Sequence, residues 1–143
     1  MEQVHPISFK GVIIGAVFDI VVSGLLGGVF LIAVWHTFHG ELSGSPVEQI
    51  KSLSAEPAVY WTAFIIGCVV SVVAGYISAS IAGQAELLNG ALSSFLCVAL
   101  TALDSHGSTW NLLMIAASPC FGLIGGYLCQ QRRSLQARSV GRG

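Results

Sequence analysis

Charge is what this sequence has least of. Six basic and seven acidic residues make up 9% of its 143 positions, where soluble globular domains carry about 25%. The chain is also 54% hydrophobic. So little polar surface cannot cover a water-facing domain, and the composition points to a lipid bilayer as the main partner. The net charge of −1 argues against a nucleic-acid partner. Cysteine is sparse and badly spaced for pairing. Cys68, Cys97, Cys120 and Cys129 lie in or beside apolar runs with no C-x-x-C, which excludes a structural zinc site or disulfide framework as the organising device. They read as small buried packing residues. No nucleophile with its base, phosphate loop or hydrolase elbow is present, so the chain reads as a non-enzyme without cofactor or metal.

Four apolar runs are present, at about 11–35, 58–82, 87–103 and 109–129, followed by a basic tail at 130–143. A helix needs roughly 20 residues to cross a ~30 Å hydrocarbon core. The first run exceeds the ~7–15 residues of a secretory h-region, and no A-x-A-like site follows. It reads as an uncleaved anchor. The expected fold is all-α: one integral membrane domain, a four-helix bundle. Lys10 and Arg132, Arg133, Arg138 and Arg142 fall on one side of such a bundle and Lys51 on the other. The positive-inside rule then predicts a multi-pass protein with both termini in the cytoplasm. Trp35, Trp61 and Trp110 all fall at the opposite level, with Tyr60, as indole rings at a headgroup layer do.

The first outer connection carries Ser45-Pro46-Val47-Glu48, a capping box with proline at the first helical position. Val47, Ile50 and Leu53 share one face, which predicts a short amphipathic helix on the outer surface. Ser54-Ala55-Glu56-Pro57 reads as the start signal of the second span.

Small residues recur every four positions: Gly11, Gly15, Ser23 and Gly27 in the first span, Gly67, Ser71, Gly75, Ala79 and Gly83 in the second, and Ser118, Gly122 and Gly126 in the fourth. In lipid, such rows let helix backbones approach closely. Gly11, Gly15, Gly27, Gly67, Gly75, Gly122 and Gly126 are therefore the expected packing positions. A strict four-residue row drifts about 40° per step around a 3.6-residue helix, so each row needs crossed helices or two partners. Pro119 predicts a kink near Ile115. Laying Gly75-Tyr76-Ile77 on Gly126-Tyr127-Leu128 aligns the second and fourth spans. This suggests two duplicated parallel hairpins.

The stretch GYISASIAGQAELLNGALSSFL (75–96), with SPCFGLIGGYL (118–128) and FKGVIIGAVFDIV (9–21), resembles a family of small bacterial four-span membrane proteins of uncharacterised activity. That resemblance implies the fold and a bacterial inner-membrane setting, and no activity. Members often carry a basic residue near position 84, where this chain has Gln84.

Asp19 is the sharpest functional candidate. It occupies a step of the first glycine row, about 12 Å along the helix from Gly11. An aspartate there costs ~2.5–3.5 kcal/mol on insertion scales, so it should face protein. Two readings follow. It is a neutral acid hydrogen-bonding across helices, to Ser71, Thr101 or a carbonyl freed by Pro119. Or it is an ion or proton site on a transport path with Ser23, Ser71 and Thr101. His36, His39 and Glu41, with Asp104 and His106, read as solvated interface residues and not a metal site. Glu86 suits the N-terminal dipole of the third span. The leading expectation is a structural or interaction protein. It would pack through its glycine ridges as a homo-oligomer or within a larger membrane complex. A small transporter or channel using Asp19 is the alternative.

Overall fold

The computed structural model describes residues 7–38, 44–102 and 109–140, and within them all side chains except those of 101–102, 109–115 and 140. The described residues form five α-helices and no strand: α1 (Phe9–Phe38), α2 (Pro46–Ala55), α3 (Pro57–Ala82), α4 (Glu86–Ala102) and α5 (Thr109–Val140). α1 and α3 are long and apolar enough to cross a membrane, and α4 is a shorter apolar helix. The 30 residues of α1 span about 45 Å, beyond a ~30 Å hydrocarbon core.

α3 and α4 form the centre. Both pack on α1 and on α5, while α1 and α5 do not touch each other among the described residues. The buried residues of α1 are Gly11, Val12, Gly15, Ala16 and Asp19, all in its first half. Those of α3 run from Val70 to Ala79, in its second half. The molecule is therefore tight at the end where α3 turns into α4 and open at the end where α2 sits.

The tight end is built at Gly83. It takes the left-handed conformation (φ 73°), and its N–H donates to the Ala79 carbonyl, ending α3. Ala85 also has positive φ, at 49°, which costs a residue with a Cβ about 1–2 kcal/mol. Asn89 holds this turn. Its Nδ2 donates to the Gln84 and Ala85 carbonyls, each at 3.0 Å.

α2 starts as the capping box requires. The Ser45 hydroxyl accepts from the Glu48 N–H, and the Glu48 carboxylate accepts from the Ser45 N–H at 2.9 Å. The Ser45 N–H and, in turn, its hydroxyl donate to the carboxylate and hold the Glu48 carboxyl below the usual glutamate range. The expected apolar face is only partly used: Leu53 is 8% exposed, but Val47 is 75% exposed. α2 leans on α1 and α3, and Trp35 Nε1 donates to Gln49 Oε1 at 2.9 Å.

The expected start signal opens α3 at Pro57; within it the Ser54 hydroxyl donates back to the Ile50 carbonyl, and Glu56 is the N-cap residue with no side-chain bond. Proline at the first position has no N–H, which removes one of the four free donors of the helix start. The basic tail is not separate from the last helix. α5 continues to Val140 because residues 130–140 contain no glycine or proline and carry good helix formers. One expectation needs correction, that Gly27 and Gly67 pack within the chain. A Cβ added at either would meet nothing within 4 Å. The drift of a four-residue row carries them off the seams.

The other expected packing positions are in close contact. A Cβ at Gly11 would lie 2.7 Å from the Ser78 carbonyl oxygen, one at Gly75 2.5 Å from that of Gly122, and one at Gly126 2.5 Å from that of Glu86. One at Gly122 would strike the Gly90 carbonyl and the Ser94 hydroxyl. Gly90 and Gly125 join them, absent from the expected set. Gly125 lies directly against the Val72 carbonyl. α5 passes through Pro119 as one helix.

Candidate functional site

The largest fully buried side chains are polar: Asn89, Asp19, Ser78, Ser93 and Ser94. Large apolar side chains lie outside, Leu25, Val29, Ile32 and Ile65 among them. This is the reverse of a water-soluble core. It suits a molecule whose solvent is hydrocarbon, in which polar groups satisfy one another inside.

Asp19 is 1% exposed. Its Oδ1 accepts from Ser23 Oγ at 3.1 Å, one turn along the same helix. Its Oδ2 accepts from Ser71 Oγ of α3 at 3.0 Å. The Cys97 thiol of α4 supplies a third hydrogen bond. One carboxyl group thus joins three helices. No charged side chain among the described residues neutralises it. Of the expected site, Asp19, Ser23 and Ser71 come together. The Thr101 side chain lies outside the described residues. The carbonyl freed by Pro119 is no partner, because it belongs to α5, which α1 does not touch.

Toward the turn end, the polar groups continue along the junction of α1, α3 and α4. Ser78 and Ser93 face each other across Gly15: a Cβ there would lie 2.7 Å from the Ser78 Cβ and 3.0 Å from the Ser93 Cβ. Ser78 Oγ donates to the Asn89 carbonyl, and Ser93 Oγ to the Gly90 carbonyl, each at 3.0 Å. Asn89 Oδ1 accepts from the Ser8 N–H at 3.0 Å, where the chain enters α1. On the α5 side, Ser118 Oγ donates to the Ser94 carbonyl at 3.4 Å. The Ser94 hydroxyl itself is buried without a hydrogen-bond partner.

No protein-family model, curated protein or solved structure matches the chain. The reading of the site therefore rests on its own chemistry.

A second cluster caps the turn end. Arg133 Nη1 pairs with Glu86 Oε1 at 2.8 Å, and its Nη2 donates to the Ser80 carbonyl at 2.9 Å. Arg132 Nη1 donates to the Tyr76 hydroxyl at 2.7 Å. Glu86 therefore has a partner beyond the helix dipole. Sequence reasoning missed this, treating the arginines only as a topology signal. It also missed Cys97 and the role of Asn89. A signal for both existed: Asn89, Ser93 and Cys97 recur every four residues in an apolar helix, which puts them on one face. His36 lies at the end of α1, while His39, Glu41, Asp104 and His106 lie outside the described residues.

Proposed function

We propose that this chain is a four-span integral membrane protein of structural or interaction type. In this reading it sits in a bacterial inner membrane with both termini cytoplasmic. The likeness of its glycine-rich helices to small bacterial four-span proteins favours that setting. Lys10 at the start of α1 and the arginines near the end of α5 belong to the turn end, with Lys51 on α2 at the other. That distribution supports a cytoplasmic turn end. The paired Gly-Tyr steps of α3 and α5 support a duplicated hairpin.

One observation carries the interaction role. The second half of α1 has no buried residue, and a Cβ added at Gly24, Gly27 or Gly28 would meet nothing within 4 Å. Glycine facing lipid gains no packing, whereas Gly24 and Gly28 at four-residue spacing suit the close approach of another helix. The ridge through Gly75 is already occupied by Gly122 of the same chain. Cross-linking in native membranes tests the reading. Gly24→Leu with Gly28→Leu should abolish higher-order adducts while monomer yield holds. An adduct pattern identical to wild type would show that this face does not pair.

A further inference from the structure

We propose that Asp19 is a proton-binding site of the membrane interior, exchanging its proton with water at the α3–α4 turn along the Ser78–Ser93 column. The inference rests on the membrane-spanning part of the proposed function. It is independent of the pairing of α1.

The occupant follows from the surroundings. Asp19 is buried by α1, α3 and α4, and the groups bonded to it are Ser23, Ser71 and Cys97, two hydroxyls and a thiol. Cys97 is the only other titratable group that faces it, and no cationic side chain does so among the described residues. An unpaired carboxylate in hydrocarbon is strongly disfavoured, so something must neutralise it. A hard cation such as sodium takes a shell of oxygen ligands. A thiol is a soft ligand and completes such a shell poorly. A proton needs only one carboxyl oxygen, and both hydroxyls can reorient around the neutral acid.

The route follows from the column. Ser78 and Ser93 each donate to a backbone carbonyl and keep lone pairs that accept a proton. Ser93 lies one turn of α4 from Cys97, about 6 Å along the axis, and Ser78 lies two turns of α3 from Ser71, about 10 Å, so the route needs water between these stations. Asn89 closes the column next to Ser8, where α1 begins beside the turn.

Infrared spectroscopy of the full chain in liposomes provides the test. Wild type should show the carbonyl band of a protonated carboxylic acid, and Asp19→Asn should lack it. The band should shift in D2O. Ser78→Ala with Ser93→Ala should keep the band but slow the shift about tenfold, the effect of losing roughly one hydrogen-bonded station. Dicyclohexylcarbodiimide gives a second readout. The protonated carboxyl adds its O–H across one C=N bond of the carbodiimide, and the adduct rearranges to an N-acylurea with no leaving group, so the mass of the Asp19 peptide rises by one reagent. Labelling should slow as pH rises and ignore sodium. No acid band, or a band unchanged in Asp19→Asn, would overturn the site. So would protection by sodium, which makes the occupant a cation. A band that resists D2O overnight makes Asp19 a static acid, and an unchanged rate in the double alanine variant removes the route. Extraction of the protein by alkaline carbonate would instead refute the membrane-spanning reading itself.

Discussion

The two halves of α1 carry the same glycine spacing and have opposite surroundings. In the first half, Gly11 and Gly15 lie against Ser78, Ala74 and Ser93, and Asp19 completes the seam. In the second, Gly24, Gly27 and Gly28 face open space. Small residues permit close approach without causing it. A partner backbone must also arrive at that height and angle, and α3 and α4 do so only near the turn end. There, polar groups inside tie α1 to α3 and α4, and arginines outside tie α5 to the same two helices. At the other end, α2 leans on α1 and no residue of α1 is buried.

The largest test of this contrast compares Gly122→Leu with Gly27→Leu. At Gly122 the new side chain meets the Gly90 carbonyl and Ser94, so α4 and α5 must separate, at a cost of ~3 kcal/mol or more. At Gly27 nothing is displaced, and the change should stay within about 0.5 kcal/mol. Unfolding in mixed detergent micelles measures both. Equal losses would erase the distinction between the halves.

Asp19→Ala should cost about 1–3 kcal/mol in the same assay, since it strands the buried Ser71 and Cys97 donors. Asp19→Asn keeps an acceptor in place and should cost less than half as much. If alanine proved no worse than asparagine, the three hydrogen bonds would not hold the seam.

A smaller effect is expected at the cap of the tight end. Arg133→Ala removes a partly exposed ion pair and a carbonyl contact, worth about 0.5–1 kcal/mol after solvent screening. Its signature is local: faster amide exchange over residues 130–140 with α1 unchanged. Arg138→Ala, whose side chain is exposed, should leave that exchange as in wild type.

The smallest effect concerns α2, at the open end. Folding lowers the Glu48 pKa through the Ser45 N–H and hydroxyl. Its contribution is therefore full above the ordinary glutamate range and fades as pH falls through the lowered value. Amide exchange within α2 should quicken on acidification while α4 stays protected. Ser45→Ala should remove that pH dependence, and a persistent one would assign it to another group.

Several parts of this molecule were legible in one dimension. The capping box at Ser45 and Glu48 is local chemistry, closed within four residues. The inward orientation of Asp19 followed from the cost of a carboxyl in hydrocarbon. Its bond to Ser71 was among the few on offer to a buried acid. Cys97 was less visible, because a thiol in an apolar helix looks like packing. The partners of Arg133 were invisible for a different reason: Glu86 is 47 residues away, and no local pattern joins them.

The sequence by itself determined that the chain is helical and apolar outside, with an acid that had to be shielded and a short capped helix between the first two long ones. Those properties depend on each residue's own transfer energy and on neighbours within a turn. Only the tertiary structure decided which glycines became seams, which hydroxyls met Asp19, and that the last helix runs on through the basic segment to dock on the α3–α4 turn. These depend on where helices cross, and a row that drifts about 40° per step can be in register with a straight neighbour over only a turn or two.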